Sequence, residues 1–332
     1  VTSRLQFEIK ALRAHYEGSL NHGKIDGKFS QAGMTFPLVL ERGKGKEPSR
    51  PQNPVGPVPY GSEEVVVRNG DIQLAGTFTS PKQGGPFTAV LLVTGSGPQD
   101  RDETLFGHKP FLVIADYLTR AGCAVLRLDD RGMGKSTGDF RTAGLAEFTS
   151  DALAAVAWLK ARPEVKRAGI LGHSEGGAVG PLAAVKSDDV AFLIMLAGPA
   201  QPFDELLVEQ SSGLMRAAGV PANIIDANSQ IVRAVTEVVR KEPDNAKALE
   251  AMKKIAAEWK DKQPQLASQL EGQAGGMVSV EMRSLLAYSA PETLGKLRCP
   301  VLALYGGKDL QVPGDSNLKA AAAALAAGHV EA

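Results

Sequence analysis

Short apolar runs alternate with amphipathic helical patterns along most of this chain of 332 residues. After the first two runs, helical patterns occupy the intervals between them. Such alternation is typical of a mostly parallel sheet with helices on both faces. An Arg-Asn-Gly-Asp segment between the first two runs favours an antiparallel hairpin at the edge of that sheet. The runs are residues 63–67, 72–78, 88–93, 124–128, 168–171, 191–196 and 301–305, and the helical patterns are residues 111–121, 145–160 and 177–185.

The first 60 residues do not follow this pattern. β-type alternation is present in residues 5–20 and again in 28–40, with a predicted turn at 21–27. Residues 44–59 are rich in Pro, Gly and charge, which is typical of a linker. One or two hairpins bury too little surface to be stable alone, so this segment is interpreted as a packing appendage or as part of an incomplete β-rich domain.

A second departure begins after the sixth apolar run, where helical patterns continue for nearly a hundred residues with almost no strand signal. A structureless loop of that length is implausible in a compact domain, so a helical insertion above the sheet is predicted. The chain is therefore divided into a β-rich appendage with linker at 1–60, an α/β core at 61–200 and 298–332, and a helical cap at 201–297.

Composition excludes several classes of protein. Lys and Arg together number 37, as do Asp and Glu, so the chain lacks the basic surplus of a dedicated nucleic-acid binder. The longest apolar stretch has eleven residues, 190–200, whereas a membrane-spanning helix needs about 20. Cys123 and Cys299 each begin an apolar run and are predicted to be buried structural thiols, too few for a disulfide framework.

The hexapeptide Gly-His-Ser-Glu-Gly-Gly at residues 172–177 is the sharpest chemical signal. An apolar run leads into it and a helix of small residues follows it, so the turn between strand and helix must be tight. A turn of this kind strains the backbone of Ser174 and exposes its hydroxyl at the end of the sheet, which favours a nucleophilic serine. The alternative is a glycine-rich turn with no chemical role.

A serine that transfers acyl groups needs two backbone N–H donors for the oxyanion of the tetrahedral intermediate. One is expected from Glu175, at the N-terminus of the helix that follows the serine. The other is expected from residues 93–98, Val-Thr-Gly-Ser-Gly-Pro, where glycines flank Ser96 and allow its backbone to approach a substrate. We therefore predict an oxyanion hole made of the N–H groups of Ser96 and Glu175.

The acid that orients a catalytic histidine should follow a late strand. Asp309 stands after the run 301–305 and is the favoured candidate. Asp204, after the sixth run, is the competing acid. For both, the alternative is a solvated loop aspartate.

Two strings come close to nucleotide-binding motifs without matching them. The string that begins at Gly95 has Asp100 in place of the third glycine of a dinucleotide fingerprint. Residues 132–137 resemble a phosphate loop, but Asp129 replaces its first glycine. No nucleotide, other cofactor or metal is predicted. Residues 129–131, Asp-Asp-Arg, are expected to form a buried ion-paired turn that braces the site.

Taken in order, the strings TGSGPQDRD, LRLDDRGMGKSTG, GHSEGG, LAGPA and YGGKDLQVP resemble the α/β-hydrolase superfamily, in particular its bacterial esterase and serine-aminopeptidase-like branch. The resemblance begins near Glu63 and excludes residues 1–60. It implies acyl transfer through a covalent acyl-enzyme, with a triad in the order serine, acid, histidine. It also implies that Ser174 is the nucleophile, that Asp309 is the acid, and that the segment 201–297 shapes the substrate pocket.

The histidine that the resemblance implies is not found in its place. It should follow an eighth strand, yet only five residues follow the last predicted helix. His329 falls where that strand would begin, about 17–20 Å from the catalytic end. His173 lies inside the tight turn at residues 172–177, here called the elbow. His108 is a distant candidate for the catalytic base. We expect the chain to lack its last strand and histidine loop, to expose the run 301–305 as an apolar edge, and to have very weak activity.

Three functions remain open: an esterase, a peptidase that recognises an amino terminus through Asp204, Glu205 and Glu209, and a non-catalytic module that binds an acyl ligand or a partner. The expected partner is a small-molecule ester or amide, with no nucleic acid and no membrane span. The β-rich leader and the resemblance favour export of the parent protein from a bacterial cell, although this chain begins at Val1 without a signal peptide.

Overall fold

The computed structural model of the protein describes residues 3–9, 14–31, 34–43 and 49–330. Parts of three predicted segments lie outside the described residues, namely 10–13 of the first β-type segment, 32–33 of the second, and 44–48 of the linker.

The chain divides into two compact units. One comprises residues 1–48 and 250–274, and the other comprises residues 49–249 and 275–332. The predicted boundaries between appendage, core and cap stay predictions.

The first unit contains a four-stranded antiparallel sheet in the order β1-β2-β3-β4. Its register places four aromatic residues in one row across the strands, Phe7 opposite Tyr16, Tyr16 opposite Phe29, and Phe29 opposite Phe36. Tyr16 is fully buried, and its ring stacks on that of Phe7 at 5.1 Å between centroids. Cross-strand pairs of this kind stabilise a sheet on its apolar face. The strands are β1 (Arg4–Ile9), β2 (Ala14–Asn21), β3 (Lys24–Gln31) and β4 (Met34–Glu41).

The turn predicted at residues 21–27 is much shorter than expected. Only His22 and Gly23 connect β2 to β3, with φ of +47° and +82°. Two consecutive positive φ values are characteristic of a type I′ turn, whose twist matches the flanking strands and lets them continue to the turn itself. Residues 28–40, predicted to have β-type alternation, contain parts of two strands, β3 and β4.

The second unit contains a seven-stranded sheet in the order β11-β10-β9-β7-β8-β6-β5. The pairs β5–β6 and β6–β8 are antiparallel, and the other pairs are parallel. The predicted sheet and its hairpin edge are therefore confirmed. The strands are β5 (Gly61–Asn69), β6 (Ile72–Ser80), β7 (Phe87–Val93), β8 (Ala124–Leu128), β9 (Val165–His173), β10 (Val190–Leu196) and β11 (Val301–Leu304).

Helices cover both faces of this sheet. Successive residues of a strand point to opposite sides, so a mostly apolar strand such as β7 has apolar side chains on both faces. On one face, Val90 and Leu92 of β7 pack in a cluster with Phe111 of α1 (Pro110–Arg120). On the other face, Leu91 packs in a larger cluster with residues of α2 (Leu145–Lys160), α3 (Gly176–Lys186) and α10 (Gly314–Ala327).

Six helices lie between β10 and β11, where helical patterns were predicted. None of the helices among the described residues is long and apolar enough to cross a membrane. The six are α4 (Phe203–Ala217), α5 (Ala222–Lys241), α6 (Asn245–Trp259), α7 (Pro264–Met277), α8 (Val280–Ala287) and α9 (Ala290–Leu294).

Two predictions about exposure have different outcomes. Strand β11 is the last in the described order of the sheet, and Leu302 and Leu304 are 51% and 46% exposed, as expected for an apolar edge. Cys123 and Cys299 are half-buried and form no disulfide. Burial of this extent still raises the pKa of each thiol.

Candidate active site

Ser174 stands at the sharp bend between β9 and α3. Its φ is +52°, in the left-handed region that residues other than glycine rarely adopt. Its backbone N–H donates to the carbonyl of Leu196 at 2.9 Å, which fixes the bend against the end of β10. Ser174 is only half-buried. The expected strain at this residue is therefore present, and the side chain leaves the bend at the carboxyl end of the parallel strands.

The glycines around Ser174 are required because backbone meets backbone there. A Cβ on Gly172 would lie 2.0 Å from the carbonyl oxygen of Gly176, and one on Gly176 would lie 2.3 Å from that of Val93. A Cβ on Gly177 would lie 2.4 Å from the Cα of Gly198. None of these contacts can be relieved by rotating a side chain. The three glycines thus allow the strand, the bend and the helix to approach each other closely.

The loop after β7 passes directly beside the bend. A Cβ on Gly95 would lie 3.2 Å from the Cβ of Ser174. Ser96, the next residue, is exposed. Within the part of the chain that the structure describes, the N–H groups of Ser96 and Glu175 donate to no acceptor. Both predicted oxyanion donors are therefore available to a ligand.

Glu103 belongs to the site, although no sequence argument predicted it. It is buried, and its Oε1 accepts hydrogen bonds from the N–H of Gly95 at 2.6 Å and from Nδ1 of His173 at 2.8 Å. The hydrogen bond to Glu103 and the charges of Glu103 and Asp309 raise the pKa of His173, against an opposing effect of burial. Glu103 directly follows the string TGSGPQDRD, so a carboxylate within the same loop was the available signal.

A second carboxylate on the same loop comes from a distant part of the chain. Oε1 of Glu281, in the first turn of α8, accepts from the N–H of Gly97 at 2.9 Å. The carboxyl group of Glu281 also adjoins that of Glu175, whose Oε2 is buried and has no hydrogen-bond partner among the described residues. Burial, together with the charge of Glu281, raises the pKa of Glu175 to about 9. The Glu175 side chain is therefore neutral at pH 7.

The turn at residues 129–131 braces this region through partners outside itself. Asp129 pairs with Arg101 at 2.8 Å, and Arg131 pairs with Asp151 at 2.6 Å. The carboxylate of Asp130 accepts from Thr94 Oγ1 at 2.8 Å, next to the loop that carries Ser96. The predicted ion-paired turn is thus present, and Asp130 binds the loop after β7 through Thr94 and the N–H of Gln99.

The two candidate acids differ in their surroundings. Oδ1 of Asp309 accepts from the N–H groups of Gln311 at 2.8 Å and Val312 at 3.1 Å, and the carboxylate acts electrostatically on His173. Asp309 follows β11, whose last residue, Leu304, pairs with Leu196 at the same end of the sheet as His173. Asp204 forms an ion pair with Arg240 at 2.9 Å and is thereby already neutralised.

No histidine among the described residues donates to or accepts from the hydroxyl of Ser174. His173 is bound to Glu103, and Nδ1 of His108 lies 3.1 Å from Oδ1 of Asn53. His329 is exposed after α10 with a left-handed φ of +55°. The described part of the chain also contains no group of three or more His, Cys, Asp or Glu side chains arranged to hold a metal ion.

Comparison with known proteins gives consistent results. Residues 110–330 match the family described as serine aminopeptidase, S33. Esterase EstD of Thermotoga maritima is 32% identical over 259 residues, which are 78% of this chain and 54% of EstD. The chain thus spans about half the length of this relative.

Solved structures resemble this fold. An esterase of Pyrococcus furiosus gives a TM-score of 0.52 at 18% identity, over 82% of this chain and 79% of that chain. A second crystal form of an esterase from the same organism gives 0.50 at 17% identity, over 85% and 86%. At such identities the likeness concerns the fold alone, and it confirms the predicted fold class.

Proposed function

Since the chain belongs to the serine aminopeptidase S33 family of α/β hydrolases, we propose that its chemistry is the hydrolysis of small carboxylic esters through an acyl-enzyme on Ser174. The observation that carries the proposal is a strained, half-buried serine with two unoccupied amide hydrogens beside it. In water-excluded sites, such donors stabilise the charge that develops on the substrate carbonyl oxygen. The esterase relative supports the choice of substrate class.

In this mechanism Ser174 attacks the acyl carbonyl, and the oxyanion binds to the N–H groups of Ser96 and Glu175. The alcohol leaves, and water then hydrolyses the acyl-serine. Asp309 is proposed as the acid that orients the base. Among the described residues, no histidine bonds to the hydroxyl of Ser174. Residues 1–332 are therefore proposed to turn over slowly.

Peptidase activity is the weaker alternative. The acidic side chains that were candidates for binding an amino terminus already have partners. Glu205 pairs with Arg233 at 2.6 Å, and Glu209 accepts from Gln201 at 2.7 Å, as Asp204 pairs with Arg240. Asp204 and Glu205 each already pair with a guanidinium group, so they offer little to a substrate ammonium group. A panel of aminoacyl-p-nitroanilides distinguishes the two functions.

The test uses p-nitrophenyl acetate to octanoate with the wild-type chain, Ser174→Ala, and Ser62→Ala as an exposed-serine control. The wild type and Ser62→Ala should hydrolyse the esters at the same low rate and react with a fluorophosphonate probe. Ser174→Ala should lose labelling and at least about tenfold in rate, since the oxyanion hole alone retains part of the catalysis. After the rate of imidazole in buffer alone is subtracted, added imidazole should raise the rate only where Ser174 is present. Equal rates in the wild type and Ser174→Ala, with and without imidazole, would overturn the proposal.

A further inference from the structure

The three backbone N–H groups at residues 95–97 differ in their hydrogen-bond acceptors. The N–H of Gly95 is held by Glu103 at 2.6 Å, and the N–H of Gly97 is held by Glu281 at 2.9 Å. The N–H of Ser96, between them, has no acceptor among the described residues. Two carboxylates thus hold the flanking amides and leave the central one free.

Glu103 connects the loop to the elbow. The oxygen that accepts from Gly95 also accepts from His173, which directly precedes Ser174. Glu103 itself has a left-handed φ of +51°, and its backbone N–H donates to the carbonyl of Asp100 at 2.9 Å. Strain of this kind persists only where surrounding contacts impose it. One carboxylate therefore sets the spacing between the two chain segments that carry the oxyanion donors.

Glu281 connects the same loop to helix α8. Ser279 caps this helix by accepting from the N–H of Met282 at 3.1 Å, which fixes its first turn. Ser284, one turn later, accepts from the N–H of Leu145 at the start of α2 at 3.0 Å. Helix α8 is thereby anchored on the core while Glu281 reaches the loop. The adjoining carboxyl of Glu175 places Glu281 between the two segments that supply the oxyanion donors.

We propose that Glu103 and Glu281 are positioning residues that aim the Ser96 N–H at the substrate oxyanion, and that Glu281 makes this aim depend on helix α8. The inference rests on the proposed function. Their contribution is expected in the transition state and not in ground-state binding, because the oxyanion forms only during the reaction. Loss of the acceptor oxygen at either position should therefore lower kcat and leave KM unchanged.

The experiment compares Glu281→Ala, Glu281→Gln, Glu103→Gln and the exposed control Glu237→Gln, with rates measured per active site titrated by the fluorophosphonate. Glu281→Ala should lower kcat about tenfold with KM unchanged, since removing an oxyanion donor outright costs about 10²–10³ and misaiming one costs less. The glutamine variants keep an acceptor oxygen and should stay within about threefold of the wild type. Glu237→Gln should behave as the wild type.

A trifluoromethyl ketone inhibitor gives the readout that a merely structural role would not change. The hemiketal that it forms with the serine oxygen carries an oxyanion. Its Ki should therefore rise in Glu281→Ala by the same factor as kcat falls. The inference is overturned if Glu281→Ala keeps the wild-type kcat per titrated site, or if KM alone changes, while Ser174→Ala is inactive. If Ser174→Ala equals the wild type, the proposed function fails and this inference fails with it.

Discussion

The two segments that meet at Ser174 keep their shape by different means. In the elbow, Gly172, Gly176 and Gly177 allow backbone atoms to approach so closely that a single methyl group would collide with them. In the loop after β7, the glycines at 95 and 97 are held by hydrogen bonds to Glu103 and Glu281. The first geometry follows from excluded volume, and the second follows from side chains that come from elsewhere in the chain.

This difference bears on what each segment can do. Excluded volume gives a rigid bend that does not depend on pH or on other helices. A hydrogen-bonded loop has the geometry that its carboxylates impose, so changes in charge or in the position of α8 are transmitted to it. Ser174 thus lies in a bend whose geometry is fixed by backbone contacts. Ser96, one of the two proposed oxyanion donors, lies in a loop whose geometry depends on two carboxylates.

The largest effect is expected from adding a methyl group to the elbow. Gly172→Ala places a Cβ 2.0 Å from a carbonyl oxygen that cannot move without displacing α3. Overpacking of this kind costs about 3 kcal/mol or more. A protein of this size should therefore lose about 6–12 °C in Tm, or fail to accumulate as folded protein, as measured by calorimetry and soluble yield.

The matched control for this variant is Gly276→Ala in helix α7, where an added Cβ meets nothing within 4 Å. Alanine is the better helix former by about 0.5–1 kcal/mol, so this control should be unchanged or slightly more stable. A Gly172→Ala protein as stable as Gly276→Ala would show that the elbow is not held by excluded volume.

A smaller, pH-dependent effect on thermal stability is expected from replacing Glu175. Glu175 faces the carboxyl groups of Glu281 and Asp130, and burial with these charges raises its pKa from 4.5 to about 9. The folded state therefore holds this proton more tightly than the unfolded chain does. The contribution of the Glu175 proton to the free energy of unfolding is complete below pH 4.5, and it is lost as the pH rises from 4.5 to about 9. Glu175→Gln has no proton to lose, so its Tm should equal that of the wild type near pH 4.5 and exceed it by at least about 3 °C at pH 9.

Glu237→Gln is the control for this change, because Glu237 is exposed on α5 and pairs only with Lys241 among the described residues. It should show no gain at high pH. A Tm difference between Glu175→Gln and the wild type that does not vary with pH would contradict the neutral state of Glu175.

The smallest effect concerns the strain at the serine itself. Ser174→Gly removes the cost of a left-handed φ in a residue with a Cβ, which we expect to stabilise the protein by about 1 kcal/mol, or about 2–4 °C in Tm, while abolishing probe labelling. Ser62→Gly in strand β5 offers no such relief and should be slightly destabilising. If Ser174→Gly lowers Tm as Ser62→Gly does, the bend is not strained.

The sequence was sufficient for the elbow because its causes are local. Three glycines and a serine within six residues, between a strand and a helix, leave few other conformations, so Ser174 was predicted together with its backbone strain. The alternation of strands and helices along the chain followed from the same kind of local pattern. The turn at His22 was misjudged because the twist of a type I′ turn, and not the count of polar residues, decides where β2 and β3 end.

The hydrogen bonds that hold the loop after β7, made by Glu103 and Glu281, could not be predicted in the same way. Glu103 is eight residues from Gly95, and its own backbone adopts a left-handed conformation that the sequence does not indicate. Glu281 is 184 residues from Gly97 and lies in a helix whose pattern alone gives no sign of a partner in the loop. Contacts over such separations are set by tertiary packing, which periodicity in a sequence does not encode.

The arrangement of amides around the serine has a consequence for their exchange with water. The hydrogens of Gly95, Gly97 and Ser174 are each bound by an oxygen of the protein, whereas those of Ser96 and Glu175 have no acceptor among the described residues. Within a few residues, slowly exchanging amide hydrogens should therefore alternate with rapidly exchanging ones. In deuterated water, the two rapidly exchanging amides should be the two proposed oxyanion donors.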